Sequence, residues 1–224
     1  MNHTEVTEKN DNIKIRLVVY LIGLFIMTLG ISMSVKSNLG VSPVSSIPYT
    51  ITCITGLEMG KATILFHIVL VALQFVILRG AFQIKSLLQV VVGIIFGYFT
   101  TFSNYLFSFL PTPDNLVIRL FMMLFSTALI AVGIFFYLPA DIMPLAGEGA
   151  MKAVADVTHI PFNKVKIGFD VSMVTISLIS CLIVLKTLGS VGIGTVIAAL
   201  LVGMILGVVT KFFGEKRDRL LRLC

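Results

Sequence analysis

"NLGVSPVSSIPYT", residues 38–50, follows an apolar run over 15–35 and places three serines and two prolines where a hydrophobic chain would simply leave a bilayer. Pro43 and Pro48 prevent one continuous helix from running on through this stretch. Ser42, Ser45 and Ser46 are residues that cap a new helix or donate to a ligand. Broken, polar backbone at membrane depth is tolerated only where protein or a water-filled cavity surrounds it. The break therefore predicts an interrupted or re-entrant element facing the inside of a helical membrane domain.

Composition sets that frame. Of 224 residues, 57% are hydrophobic and 12% charged, and the mean hydropathy of +1.03 is far above that of a soluble domain. A hydrocarbon core roughly 30 Å thick takes about 20 apolar residues per helix. Six runs qualify: 15–35, 62–78, 86–110, 120–140, 167–185 and 187–210. The first is longer than a signal-peptide core and ends in Lys36-Ser37-Asn38 rather than a small-x-small cleavage site, so it is read as the first spanning helix. Residues 1–14, with Glu5, Glu8, Lys9 and Asp11 among Asn and Thr, read as a disordered cytoplasmic tail, and 213–224, carrying "KRDRLLR", as a basic cytoplasmic tail.

Lys and Arg number 17 against 11 Asp and Glu, an excess that reads as topology rather than as nucleic-acid binding. With the N-terminus in the cytoplasm, Lys9, Lys14, Arg16, the Arg79 to Lys85 turn, Lys152, Lys164, Lys166 and the C-terminal cluster share one side. Lys36, Lys61, Arg119 and Lys186 fall on the other. Both termini are thus expected to be cytoplasmic. Cys53, Cys181 and Cys224 have no metal or redox spacing. No His-Glu-x-x-His pair, phosphate-binding glycine loop or catalytic triad spacing occurs, so neither a cofactor nor soluble-enzyme chemistry is expected.

Sliding the chain along itself by 103 positions matches "TGLEMGKATILFHIVLV" at 55–71 with "THIPFNKVKIGFDVSMV" at 158–174, and Gly30 with Gly133. Later in each half the offset becomes 110, matching "GIIFGYFTTF" from Gly93 with "GMILGVVTKF" from Gly203. The chain then divides into a three-helix repeat at 15–110, a linker at 111–117 and a second three-helix repeat at 118–212. An odd number of crossings sends the second copy into the membrane from the opposite side, the inverted repeat that many secondary transporters share. The expected fold is all-α, six spanning helices in two inverted repeats, each with a break between its first and second helices. Gly93-x-x-x-Gly97 and Gly203-x-x-x-Gly207 predict close helix approach within the protomer.

Under the 103 shift the first break falls opposite "MPLAGEGAMKAVADVTH", so Ser45 and Glu148 are mates, with Glu148 between two glycines. Ser42, Ser45, Ser46, Tyr49, Glu148 and Lys164 are the candidate substrate-binding residues. His67 and Asp170 are also mates, each directly after a matched Phe. An ionised Asp at mid-membrane costs about 2.5–3.5 kcal/mol, which predicts an inward orientation and a partner; position near an interface is the competing reading. His67, as a partner for Asp170 or a titrating group, and Gln74, seven residues on along the same helical face, complete a polar stripe of candidate coupling residues.

With "LGVSPVSSIPYTI" after the first helix, the glycine-marked third helix, and "GEGAMKAVA" before "KVKIGFD", the sequence resembles the YczE/YyaS/YitT group of bacterial integral membrane proteins, on the YczE side, from Arg16 to Phe212. The resemblance implies a multi-pass protein of the bacterial inner membrane and carries over no substrate or catalytic residue. The leading expectation is a small secondary transporter or permease for a small polar metabolite. The alternatives are a non-transporting membrane subunit or regulator of a larger complex and, third, a membrane-embedded enzyme. The expected partners are the lipid bilayer, an unidentified small molecule, and a homo-oligomer or membrane partner protein, with no nucleic acid.

Overall fold

The computed structural model describes residues 3–222, and among them the chain is helical, without strands. The order is α1 (His3–Ser37), α2 (Pro43–Thr55), α3 (Met59–Leu78), α4 (Leu88–Ser108), α5 (Leu116–Tyr137), α6 (Ala146–Thr158), α7 (Phe162–Val184) and α8 (Ile193–Arg222). Among the described residues six helices are long and apolar enough to cross a membrane, at Ile13–Ser37, Met59–Ala81, Ile84–Ser108, Leu116–Ala140, Phe162–Val184 and Ile193–Arg219. The first five match the runs read from the sequence to within a few residues at each end; the last begins later than its run, at Ile193 rather than 187, and ends later, at Arg219 rather than 210. Helix α1 begins at His3 and α8 continues to Arg222, over most of the two segments read as tails; residues 1, 2, 223 and 224 lie outside the described ones.

Between the long helices of each half sits a short one. Helices α2 and α6 have 13 residues each, about 20 Å at 1.5 Å per residue and too short for a hydrocarbon core of roughly 30 Å. Pro43 opens α2, where its missing N–H is not needed. Pro48 lies inside α2 rather than breaking it, and takes away the N–H that would bond the Val44 carbonyl. Both short helices end on a left-handed residue at matching positions, Gly56 at φ 72° and His159 at φ 56°. Thr55 Oγ1 donates to the Ile51 carbonyl and accepts from Leu57 N–H; its mate Thr158 does the same with Val154 and Ile160.

Helices α1 and α5 form the centre, crossing antiparallel where small residues remove the side-chain barrier. A Cβ placed on Gly133 would lie 2.7 Å from the Gly23 carbonyl, and one on Gly30 would lie 2.7 Å from the Ser126 carbonyl and 2.8 Å from Ile130. Shifting numbers by 103 turns Gly23 into Ser126 and Gly30 into Gly133, so each contact becomes the other. Their ends follow the same rule. Arg16 on α1 donates to the Ala140 carbonyl at 2.7 Å and to Asp141 after α5, and its mate Arg119 on α5 donates to Ser37 at 2.7 Å and to Asn38 after α1. Asn38 and Asp141, also mates, both turn the chain with positive φ, 51° and 50°. Each arginine satisfies carbonyls left open at a helix C-terminus, where positive charge is favoured.

The short helices reach across: α2 packs on α7 and α6 on α3. The cluster of Phe66, Leu70, Val71, Ala146, Ala150 and Met173, with Val44 and Ile47 against it, joins both halves. Around the α1–α5 crossing lies a second core of Tyr20, Leu24, Met27, Ile31, Phe96, Ile130 and Tyr137.

Candidate functional site

The first turns of α2 and α6 meet. A Cβ on Gly147 would rest 3.7 Å from a Val44 methyl, an ordinary contact, and Val44 and Gly147 are each other's mates under the 103 shift. Two helix N-termini, each carrying a partial positive charge of about half an elementary unit, thus converge at the seam between the halves. One residue beyond Gly147 stands Glu148, in the first turn of α6.

Glu148 is held by Tyr137, and the chain on either side of it by residues of α1, α3 and α4. Its carboxylate Oε2 accepts a hydrogen bond from the Tyr137 hydroxyl at the end of α5, and that hydroxyl in turn accepts from the Leu145 N–H at 3.3 Å. Tyr137 is buried and its ring centroid lies 5.6 Å from that of Tyr20 on α1. The Tyr20 hydroxyl donates to the Met143 carbonyl at 2.7 Å, fixing the strand of chain that leads into α6. On the far side, Gln74 Nε2 donates to Gln89 Oε1 at 2.8 Å and to the Ala146 carbonyl at 3.2 Å. This buried amide pair from α3 and α4 lies over Gly149, where a Cβ would come within 2.6 Å of the Gln89 amide and 2.7 Å of the Gln74 oxygen. Gly149 thus lets the pair close on α6.

Burial raises the Glu148 carboxyl above the ordinary glutamate value; the Tyr137 hydroxyl, the Leu145 N–H and the charge of Lys166 pull it down. No ion pair joins Glu148 to a cation among the described residues. The carboxyl is therefore buried in the first turn of α6 among neutral hydrogen-bond donors.

The serines of α2 are engaged internally. Ser42 stands at the N-cap position without capping, and its hydroxyl donates to Ser45 Oγ at 3.0 Å. Ser46 donates to the Pro43 carbonyl at 2.6 Å and accepts from Ser177 on α7 at 2.9 Å. The 103 shift maps the Ser46–Ser177 pair onto Gly149 and Gln74, which also touch. Further along α2, Thr50 shares a 2.6 Å hydrogen bond with Ser190. A cavity of about 170 Å³ between α2 and α7 is lined by Ile47, Thr50, Ile54, Ile176, Ser177 and Ser180. Tyr49 is half-buried against the α1 core.

The polar stripe divides. Gln74 belongs to the Glu148 site, whereas His67 packs its ring edge-on to Phe96 at 5.7 Å and leaves Nδ1 without a partner. Asp170 forms an ion pair with Lys166 at 2.6 Å on its own helix, while its Oδ1 has no partner; no hydrogen bond joins it to His67. Lys164 is exposed and away from Glu148, and Lys166 is the cation whose charge reaches the site. Reading the sequence missed Tyr20, Tyr137 and Gln89. The available signals were a tyrosine at the end of "VGIFFY" and a glutamine four residues before Gly93.

The chain matches, over residues 14–211, the family described as a family of unknown function, DUF6198. It belongs to that family. The uncharacterized membrane protein YczE of Bacillus subtilis (strain 168) is 24% identical over 193 residues, covering 86% of this chain and 84% of that protein. No solved structure matches. The match covers four of the six long apolar helices and both short helices entirely, and the greater part of the first and last, so the Glu148 junction lies within the DUF6198 region.

Proposed function

We propose that this protein is a small secondary transporter of a bacterial inner membrane, with both termini cytoplasmic, that moves a small polar metabolite through a site at the junction of α2 and α6. The observation that carries the reading is the recurrence of contacts under the 103 shift: Gly23–Gly133 with Gly30–Ser126, Arg16 with Arg119, and Ser46–Ser177 with Gly149–Gln74. Antiparallel α1 and α5, each the first helix of its half, support an inverted repeat, and α2 and α6 support two re-entrant half-helices. Transporters of this build place substrate and coupling ions where half-helix ends meet at the repeat interface.

Site chemistry suggests how a proton would be used. With Glu148 ionised, its charge offsets the two helix ends. With Glu148 protonated, those ends are left uncompensated and attract an anionic or strongly polar group. Proton uptake at Glu148 and substrate binding are thereby coupled at one place.

The test is a stability screen of the detergent-purified protein against amino acids, vitamins, nucleobases and small organic acids, with Glu148→Gln and Asp170→Asn alongside. A ligand at about 100 times its dissociation constant adds about 2.7 kcal/mol to the folded state. The expected result is a stabilising ligand whose effect is lost in Glu148→Gln, followed by its accumulation in sealed vesicles. A silent panel on folded protein, with a second protein co-purifying stoichiometrically, replaces transport with the membrane-subunit reading.

A further inference from the structure

The contacts of α1 with α5, and of the short helices with the opposite half, recur when the halves are exchanged, but the packing within each outer pair does not. In the first half α3 and α4 lie along each other. Gly93 and Gly97 are buried there: a Cβ on Gly93 would fall 2.7 Å from that of His67, and one on Gly97 would fall 2.7 Å from the Gly60 carbonyl and also strike Ile64. In the second half, Gly203 and Gly207 are the mates of Gly93 and Gly97, and Ile167 and Asp170 are the mates of Ile64 and His67. Here α7 and α8 make next to no contact. Both glycines are exposed, with nothing within 4 Å of a Cβ placed on either, and the same holds for Gly168 of α7. The spans of α3 and α4 are each 39% buried, those of α7 and α8 each 17%.

One glycine-lined contact is made and its mate is unmade, on a scaffold whose central contacts obey the exchange. Two halves with closely matching contact surfaces allow a second arrangement in which the roles swap. We infer that the Gly203–Gly207 face of α8 is the closing surface of that second arrangement, docking on the Ile167–Asp170 face of α7 while α4 separates from α3. This rests on the transport reading and specifies its moving parts: the outer pairs open and close alternately, while α1 and α5, clasped by Arg16 and Arg119, stay fixed. Asn163 stands where the first half has Gly60, so α7 cannot approach α8 at that level as α3 approaches α4. The contact therefore centres on Gly203 opposite Asp170 and Gly207 opposite Ile167. In the present arrangement Asp170 is held by Lys166 through Oδ2 and leaves Oδ1 buried without a partner.

The test is a paired-cysteine crosslink in native membranes. Ile167→Cys and Gly207→Cys are introduced with Cys53 and Cys224 changed to Ser, leaving buried Cys181 in place. The expected result is a short thiol crosslink within one chain in the double variant and none in either single variant. Gly203→Leu, added to the pair, should not lower the unfolding midpoint, because that face touches nothing in this arrangement and leucine is the better helix former, yet it should abolish the crosslink. Should Gly207→Cys unfold the protein, Asp170→Cys with Gly203→Cys serves in its place. Absence of the intramolecular crosslink in folded protein overturns the closure. A crosslinked dimer from Gly207→Cys alone also overturns it and assigns the face to a second copy. The ligand screen separates the two claims: a crosslink with a silent screen removes transport and keeps the closure, and a responding screen without a crosslink does the reverse.

Discussion

The two glycines flanking Glu148 should answer oppositely to the same methyl group. At Gly147 an added Cβ meets only a Val44 methyl at 3.7 Å, so Gly147→Ala adds contact and gains helix propensity of up to about 1 kcal/mol. At Gly149 the Cβ would sit 2.6 Å from both polar atoms of the Gln89 amide and 2.7 Å from Gln74 Oε1. Overpacking of this kind costs about 1–3 kcal/mol. If the amides shift apart, the buried Gln74–Gln89 and Gln74–Ala146 hydrogen bonds are lost as well, at about 1–3 kcal/mol for a group left unsatisfied. Set against the same propensity gain, Gly149→Ala should lose about 2 kcal/mol net. The assay is reversible unfolding in mixed micelles, with Gln89→Ala in both backgrounds. Trimming Gln89 should restore part of the loss in Gly149→Ala, a coupling that residues in contact show and distant ones do not. Equal shifts for the two glycines, or additivity with Gln89→Ala, would refute the packing of the amide pair on α6.

The arginine clasp predicts symmetric losses. Arg16→Gln and Arg119→Gln each remove charge-assisted bonds to carbonyls at a helix end, and each should lower stability by about 1–2 kcal/mol after allowance for partial exposure; an effect confined to one of them breaks the proposed equivalence. Tyr137→Phe removes the hydroxyl that donates to Glu148 and should cost about 1–3 kcal/mol in unfolding experiments, with no recovery on adding Tyr20→Phe. Glu148 binds its proton more tightly in the folded chain than in the unfolded one, so its contribution is fully present below the unfolded value and is lost as pH rises through the raised folded value. Stability plotted against pH should therefore fall across that window, and Glu148→Gln should flatten the curve; an unchanged slope in the variant would assign the titration elsewhere.

The six spans were legible because apolar length alone determines them, whereas the repeat proposed from the offset of 103 rests on Thr55, Gly30 and Phe66 with their mates. Arg16 and Arg119 share that offset, but the carbonyls each one satisfies are not legible in the sequence, because those partners lie more than 80 positions away. Pro43 and Pro48 look alike in the sequence, and only the structure distinguishes Pro43, which starts α2, from Pro48, which is carried inside it. Gly93-x-x-x-Gly97 and Gly203-x-x-x-Gly207 are indistinguishable as sequence. The expected packing within the protomer holds for the first pair; the second faces open space, because a motif states what a helix face permits and not whether its partner is present.

The two short helices are equal as scaffold and unequal as chemistry. In α2 the hydroxyls are spent on each other: Ser42 on Ser45, and Ser46 on the Pro43 carbonyl and Ser177. A serine that donates to its own helix satisfies backbone or neighbour and leaves little to offer a ligand. In α6 the mate of Ser45 is a carboxyl whose protonation state changes the charge at the seam by one unit, larger than the partial charge of either helix end. Approximate symmetry can provide two equivalent arrangements, yet a symmetric site would respond alike in both. Placing a single titratable group beside the contact between Val44 and Gly147 gives the junction one chemical variable that both halves reach. If the outer pairs alternate as inferred, Glu148 stands where both can bear on it: the Gln74–Gln89 pair of α3 and α4 lies over the adjacent Gly149, and the charge of Lys166 on α7 acts on the carboxyl itself.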